Sequence, residues 1–334
     1  MAISALSLPV KPRLIITVDT EEQFNWSAPV AKTGHHVTDP HDLDTFHDTC
    51  TEFGGAPIYF LSHPLLSDTR WRDWIVNRLE DARTAAGLHL HPWVTPPLAE
   101  PSGDQYSFQT NLPKALYQEK LAVLAETFLS ATGARATSHR AGRYGIGVDD
   151  YKLLADVGVT HDFSPSTGFD LTQKGGPDFS NFSNLPFVVD NHDARPVVVT
   201  PVCGALAVPR TNWFLSQRGA EPGFTAKRTP SWRRECSPMR LTPEGPRLSD
   251  LKALTKRLLK DGAPVLSYTL HSTTLTPGAT PYAQDANAVA DVLETTRAYF
   301  RYFRDEIGGD FLSLGDLESL YDAALTPAAS LTAR

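Results

Sequence analysis

Four short segments carry residues able to act together on a polar bond: Thr17-Val18-Asp19-Thr20-Glu21-Glu22, His89-Leu90-His91-Pro92-Trp93, His139-Arg140-Ala141-Gly142-Arg143-Tyr144-Gly145 and Leu270-His271-Ser272. In an extended strand, residues two apart point to the same face with Cα atoms roughly 6.5 Å apart. His89 and His91 can therefore converge on one divalent ion while Leu88 and Leu90 face the other way. The alternative for an isolated pair of this kind is two hydrogen-bonded histidines at a strand end. Asp19 and Glu21 share the same parity, and two carboxylates with two imidazoles supply a His₂-carboxylate metal set with one acid left over as a base. Glu22 reads instead as a solvated residue of a loop or helix start. Asp19 follows an apolar run, and a carboxylate buried there requires a cation or a metal as partner. Arg140, always charged, is a candidate for that role, the alternative being an ion pair elsewhere. His271 shares a face with Ser267 and Thr269, and an imidazole there can deliver a proton to a leaving group.

These residues need a frame that brings distant segments to one end of a sheet. Short β-rich runs alternate with helical patterns along nearly the whole chain, as in βα units around a parallel sheet. The clearest strands are Leu14–Val18, Pro57–Leu61, Leu88–Leu90, Pro196–Thr200, Pro264–Leu270 and Phe311–Leu314, with weaker ones at Ala136–His139 and Val159–Phe163. Apolar stripes at helical spacing, Trp71/Trp74/Ile75/Leu79, Tyr117/Leu121/Leu124/Phe128 and Val289/Leu293/Phe300/Phe303/Ile307, read as core-facing. Gly87, Gly133, Gly158, Gly262 and Gly308 read as helix stops. About seven or eight parallel strands with interleaved helices predict an α/β fold, a distorted (β/α) barrel in a single domain over residues 13–322, with an N-terminal extension (1–12) and a C-terminal tail (323–334). No G-x-G-x-x-G follows the first strand, which removes the main reason to expect a dinucleotide fold. The stretches 164–191 and 204–246, rich in Gly, Pro, Asn, Ser and Arg, read as long surface loops inserted in the barrel and bordering a substrate cleft. In such a barrel reactive groups gather at the C-terminal ends of the strands, where the four segments above fall.

The 334 residues include 31 Lys+Arg against 38 Asp+Glu, a net charge of −7, with no sustained basic run. That balance argues against a nucleic-acid or anionic-membrane partner, both of which need a positive patch. Three cysteines far apart, Cys50, Cys203 and Cys236, form no C-x-x-C pair and no disulfide framework. With no apolar segment of signal-peptide or membrane-spanning length, the expectation is a cytoplasmic protein without membrane insertion.

Taken in order, Thr-Val-Asp-Thr-Glu, Gly-Leu-His-Leu-His-Pro-Trp, His-Arg-Ala-Gly-Arg-Tyr-Gly and Leu-Ser-Tyr-Thr-Leu-His-Ser resemble the polysaccharide deacetylase superfamily (NodB homology, carbohydrate esterase family four), within it the WalW-like branch, from about Arg13 to Leu320. The resemblance implies a distorted (β/α) barrel, a divalent metal that is usually zinc, and hydrolysis of the N-acetyl amide of an amino sugar. Carried over, Asp19 matches the general base, Arg140 the arginine that orients it, His271 the general acid, and His89 and His91 the metal-binding histidine motif. The family's second acid, a metal ligand, is Thr20 here, so that role moves to Glu21. The histidine pair is H-x-H where the family usually has H-x-x-x-H, and Trp93 stands where its second histidine would fall. Trp26, Trp93 and Tyr144, with Arg143 beside it, are expected to bind a saccharide substrate, and Trp213 and Tyr282 are further aromatic candidates. Two other functions fit the same residues: hydrolysis of another non-peptide C–N bond, and a catalytically inactive glycan-binding relative.

Overall fold

The computed structural model of the protein describes residues 2–8, 11–26, 28–190, 195–208, 213–215 and 236–325. Eight parallel strands form its centre: β2 (Arg13–Thr20), β3 (Ile58–Leu61), β4 (Ala85–Leu90), β5 (Ser138–Ala141), β6 (His161–Asp162), β8 (Val197–Val199), β12 (Leu266–His271) and β13 (Asp310–Leu312). The sheet runs β8-β6-β5-β4-β3-β2-β12, with β13 also pairing β2. Two antiparallel strands, β7 (Phe187–Asp190) and β1 (Ala2–Ala5), extend it beyond β8. Residues 2–5 of the segment read as an extension are thus an edge strand of the main sheet.

Between β8 and β12 the ring is completed by irregular backbone: Leu241 N–H donates to the Cys203 carbonyl (3.0 Å) and Thr269 N–H to the Leu241 carbonyl (3.1 Å). This is the distortion of the barrel. Within it, Ile15, Ile58, Phe60, Phe163, Val198 and Val265 form one apolar cluster, into which α8 (Leu314–Leu325) packs Leu317 and Tyr321. A larger cluster holds the outward residues of the same strands, among them Leu14, Ile16, Val18, Leu88, Leu90, Tyr268 and Leu270, against the helices. Period-two alternation therefore assigns the inner face to Ile15, Thr17 and Asp19 on β2, and to Ser267, Thr269 and His271 on β12. Both inner faces become polar toward the C-terminal end.

Helix boundaries follow local chemistry. Asp68 caps α3 (Thr69–Leu79) by accepting from the N–H groups of Arg70 and Trp71. Asp285 caps α7 (Ala286–Asp305) through Ala288 N–H. Helix α4 (Lys114–Thr132) stops at Gly133, whose φ of 76° is the left-handed value that glycine adopts freely. Gly87 differs from expectation. It lies inside β4, where a Cβ would stand 2.6 Å from the Ser138 carbonyl and 2.8 Å from the Phe60 ring, so close strand contact and not a helix stop requires it. The 204–246 stretch is also corrected: β9 (Gly204–Val208), β10 (Trp213–Phe214) and β11 (Ser237–Arg240) form a small antiparallel sheet, with β9 buried over most of its length. The Gly-Ala-Leu-Ala-Val run of β9 supplies an apolar strand that composition averaged over forty residues conceals. Among the described residues, no helix is long and apolar enough to cross a membrane.

Candidate active site

The four segments meet at the C-terminal ends of β2, β4, β5 and β12. Strand register explains why. Asp19 is level with His271 and Thr17 with Thr269 across β2 and β12, while His89 is level with Arg140 across β4 and β5. Arg140, fully buried, reaches the inner face of the barrel and donates to Asp19 Oδ1 (2.6 Å), Thr269 Oγ1 (2.7 Å), Thr17 Oγ1 (2.9 Å) and the Phe163 carbonyl (3.0 Å). One guanidinium thus ties three strands together and fixes one oxygen of Asp19. Burial pushes the Asp19 carboxyl up, but Arg140, His89 and His271 outweigh it and hold Asp19 below the ordinary carboxylate range. Asp19 is thus an ionised carboxylate with one oxygen fixed.

The other oxygen, Oδ2, faces His271 Nε2 at 3.7 Å. On its far side the His271 ring is held by Glu244: Nδ1 donates to Oε2 (2.9 Å), and the backbone N–H of His271 donates to Oε1 (2.9 Å). Thr274 Oγ1 donates to the same Oε1 (2.6 Å). Burial would lower the imidazole, yet Glu244, Glu21 and Asp19 raise it to about 9. His271 is therefore a protonated imidazolium at neutral pH, with Nε2–H directed at the cavity.

Glu21, His89 and His91, all buried, place one ligand atom each within 4.8 Å of one another. Glu21 Oε2 lies 3.4 Å from His89 Nε2 and 3.3 Å from His91 Nε2. The opposite ring nitrogens are occupied, since His89 Nδ1 donates to the Arg140 carbonyl (2.9 Å) and His91 Nδ1 to Glu22 Oε1 (2.8 Å). Such outer contacts set the tautomer that leaves Nε2 free to ligate. Glu21 Oε1 is buried with no hydrogen-bond partner among the described residues. Burial raises the Glu21 carboxyl, but His271, His89 and His91 hold it well below its usual range, and the His91 imidazole, lowered by burial, is raised by Glu22 and Glu21 to about 10. A buried ionised carboxylate with one orphaned oxygen, beside two buried imidazoles whose Nδ1 atoms are already committed, fits a divalent cation. The His₂-carboxylate donor set suits zinc among others.

Two residues here were not anticipated. Glu22, expected to be solvated, is fully buried and also accepts from Ser62 Oγ (2.7 Å). β2 ends at Thr20, so alternation no longer governs position 22. Glu244 lies in a stretch read as surface loop, and nothing in its spacing from His271 signals the contact.

The site opens into a cavity of about 440 Å³ that includes Asp19, Glu21, His89, His91 and His271 in its walls. Trp26 lines it, edge-on to His271 (4.9 Å between centroids) and to Tyr282 (5.8 Å). Arg143 and Tyr144 line it too, both in the left-handed region at φ 53° and 60°. For non-glycine residues that conformation costs about 1–2 kcal/mol each, and such strain persists where the surroundings impose it, often at functional positions. Gly142, just before them, is required by close approach, because a Cβ there would stand 2.4 Å from His91 Cδ2. Trp93 is placed differently: it is buried, stacked on His91 at 4.1 Å, and outside the cavity wall, where it supports the imidazole. The side chain of Trp213 lies outside the described part of the molecule.

No family model and no curated protein matches the sequence. Among solved structures the chain is similar to the "putative polysaccharide deacetylase from Mycobacterium smegmatis", with a TM-score of 0.55, 14% identity, and coverage of 96% of this chain and 94% of that one. An allantoinase aligns with a TM-score of 0.53 at 15% identity over 93% and 90% of the two chains. A "probable Polysaccharide deacetylase" from Pseudomonas aeruginosa gives 0.51 at 12% identity over 93% and 91%. At these identities the likeness establishes the fold alone, the α/β barrel that these structures share, over nearly the whole chain.

Proposed function

We propose that the protein is a metal-dependent hydrolase that removes the N-acetyl group from an amino sugar of a saccharide or saccharide precursor. The observation that carries this reading is the convergence, in one cavity, of an ionised Asp19 held by Arg140, a cationic His271 held by Glu244, and the Glu21/His89/His91 cluster. A divalent cation held by that cluster, zinc by the chemistry of its donors, would polarise an amide carbonyl and acidify a water molecule. Asp19 accepts a proton from the attacking water as the water oxygen bonds to the carbonyl carbon. Arg140 keeps the carboxylate ionised and pointed during the transfer. His271, whose Nδ1–H is committed to Glu244, gives its Nε2 proton to the nitrogen as the C–N bond breaks. Acetate and a free amine leave. With Oδ2 and Nε2 only 3.7 Å apart, base and acid can reach the two ends of one amide. The aromatic wall of Trp26 and Tyr282 suits the face of a sugar ring.

The test is release of acetate from N-acetylated saccharides by the zinc-loaded protein, with Asp19→Asn and His271→Ala. Each substitution is expected to lower kcat by roughly 10²-fold or more, while the His271 variant still binds metal. Near-normal turnover in both variants would remove the assigned roles. A second reading, cleavage of a cyclic ureide or another non-peptide amide, is favoured by the allantoinase among the structural neighbours, since one fold serves both chemistries. Parallel assays on allantoin and on N-acetyl sugars separate the two. A protein that holds no metal and hydrolyses neither would be a glycan-binding relative.

A further inference from the structure

Three Arg and Lys side chains line the cavity: Arg143, Lys174 and Arg240. Arg143 on that wall is matched by Asp104 at 3.3 Å. Arg240 and Lys174 form no ion pair among the described residues, although both line the same cavity. In a chain of net charge −7, this is a local reversal of sign.

The setting of Arg240 is specific. Its guanidinium lies over the rings of Phe169 (3.7 Å) and Tyr144 (4.2 Å), and its Nε donates to Ser166 Oγ at 2.7 Å. Stacking on two rings and one hydrogen bond fix the plane of the fork, while its terminal nitrogens make no hydrogen bond among the described residues. A guanidinium fixed in this way, with its outer edge free, is organised to take an oxyanion through two N–H groups. The hydroxyl of Tyr144 adds a donor: it is buried, on the same wall, and has no partner among the described residues. Lys174 is exposed, whereas the carboxylates of Asp19 and Glu21 are buried at the strand ends. One cavity thus holds buried carboxylates at the strand ends together with Arg and Lys side chains, two of which form no ion pair among the described residues.

We propose that the substrate carries an anionic group, a carboxylate or a phosphate, which Arg240, Lys174 and the Tyr144 hydroxyl receive while Asp19 and His271 act on its amide. This rests on the hydrolase reading above. The test compares N-acetylglucosamine with its phosphate monoester and with its carboxylate-bearing 3-O-lactyl ether. At low ionic strength, kcat/KM for at least one anionic sugar should exceed that for the neutral sugar by about tenfold or more, as a charge-assisted hydrogen bond provides. The excess should reside in KM and shrink in 0.5 M salt, to roughly the extent that screening weakens exposed charge pairs. Arg240→Gln and Lys174→Gln should each lower the anionic-to-neutral ratio, and Arg240→Lys should restore only part of it. Lys174 is exposed, so its variant reports even if the Arg240 variants do not fold. Whichever anionic sugar gains more identifies the group as phosphate or carboxylate. Equal kcat/KM for all three sugars, or a ratio that both Gln variants leave unchanged, would overturn the proposal. Calorimetric binding of the sugar phosphate separates the two claims. Binding lost in Arg240→Gln without hydrolysis of any sugar would retain the anion site and reject the deacetylation. Equal hydrolysis of all three sugars would do the reverse, and neither binding nor hydrolysis would reject both.

Discussion

Replacing Glu244 by Gln keeps the size and an acceptor oxygen but removes the charge that holds His271. In the native protein that carboxylate takes the ring Nδ1–H and the backbone N–H, both at 2.9 Å, and the His271 imidazolium persists to about pH 9 against an ordinary value of 6.5. Burial alone would move His271 the other way, and Glu244 is the foremost of the groups that overcome it. An opposite charge in direct contact is worth about 1–3 pH units of titration, or roughly 1–4 kcal/mol. The alkaline limb of kcat/KM against pH, where the acid loses its proton, should therefore fall by at least about one unit in Glu244→Gln. Cation binding at Glu21 offsets that residue's pull on His271, so both limbs are best measured on fully loaded protein. Stability provides a second readout. The folded pKa of His271 lies above its unfolded value, so the stabilisation is complete below about pH 6.5 and is lost as pH rises through about 9. The gap in thermal midpoint between wild type and Glu244→Gln should be widest in acid and close toward alkaline pH. An unmoved alkaline limb, or a gap that widens with pH, would refute the role given to Glu244.

Other outcomes follow from the same geometry. Glu22→Gln weakens the contact that orients His91, so zinc affinity measured by competition with a chelator should fall about 10–100-fold; unchanged affinity would show that His91 is not a ligand. Arg140→Met strands the Asp19 carboxylate in the barrel interior, and urea unfolding should show a loss of about 3–5 kcal/mol. A variant as stable as wild type would mean that the Asp19–Arg140 contact contributes nothing net. Gly87→Ala forces a methyl group against the Ser138 carbonyl and the Phe60 ring, with an expected loss of about 1–3 kcal/mol and a lower thermal midpoint; no loss would mean that the two strands separate freely there.

Much of the barrel was legible before any coordinates, because parallel strands buried on both faces must be apolar and the helices between them must carry an apolar stripe. The β2, β3, β8 and β12 segments and the α4 stripe Tyr117/Leu121/Leu124/Phe128 are of this kind. The two-residue spacings of Asp19 with Glu21 and of His89 with His91 were also local properties, and each pair lines the cavity although Glu21 and His91 stand one residue past the ends of β2 and β4. Local reasoning failed where the regular period stopped. Glu22 lies beyond the last residue of β2, and Glu244 reaches His271 from a connection whose path no periodicity describes. Position 93 shows the same limit: an aromatic residue in a site loop can face ligand or support a ligand-bearing imidazole, and only packing on His91 decides it. The sequence by itself determined the kinds of chemical group available and the strand ends that would carry them. Tertiary structure alone decided which charges neutralise one another, because ion pairing and burial depend on distances between residues as remote in the chain as Asp19 and His271, 252 positions apart, that no local spacing encodes.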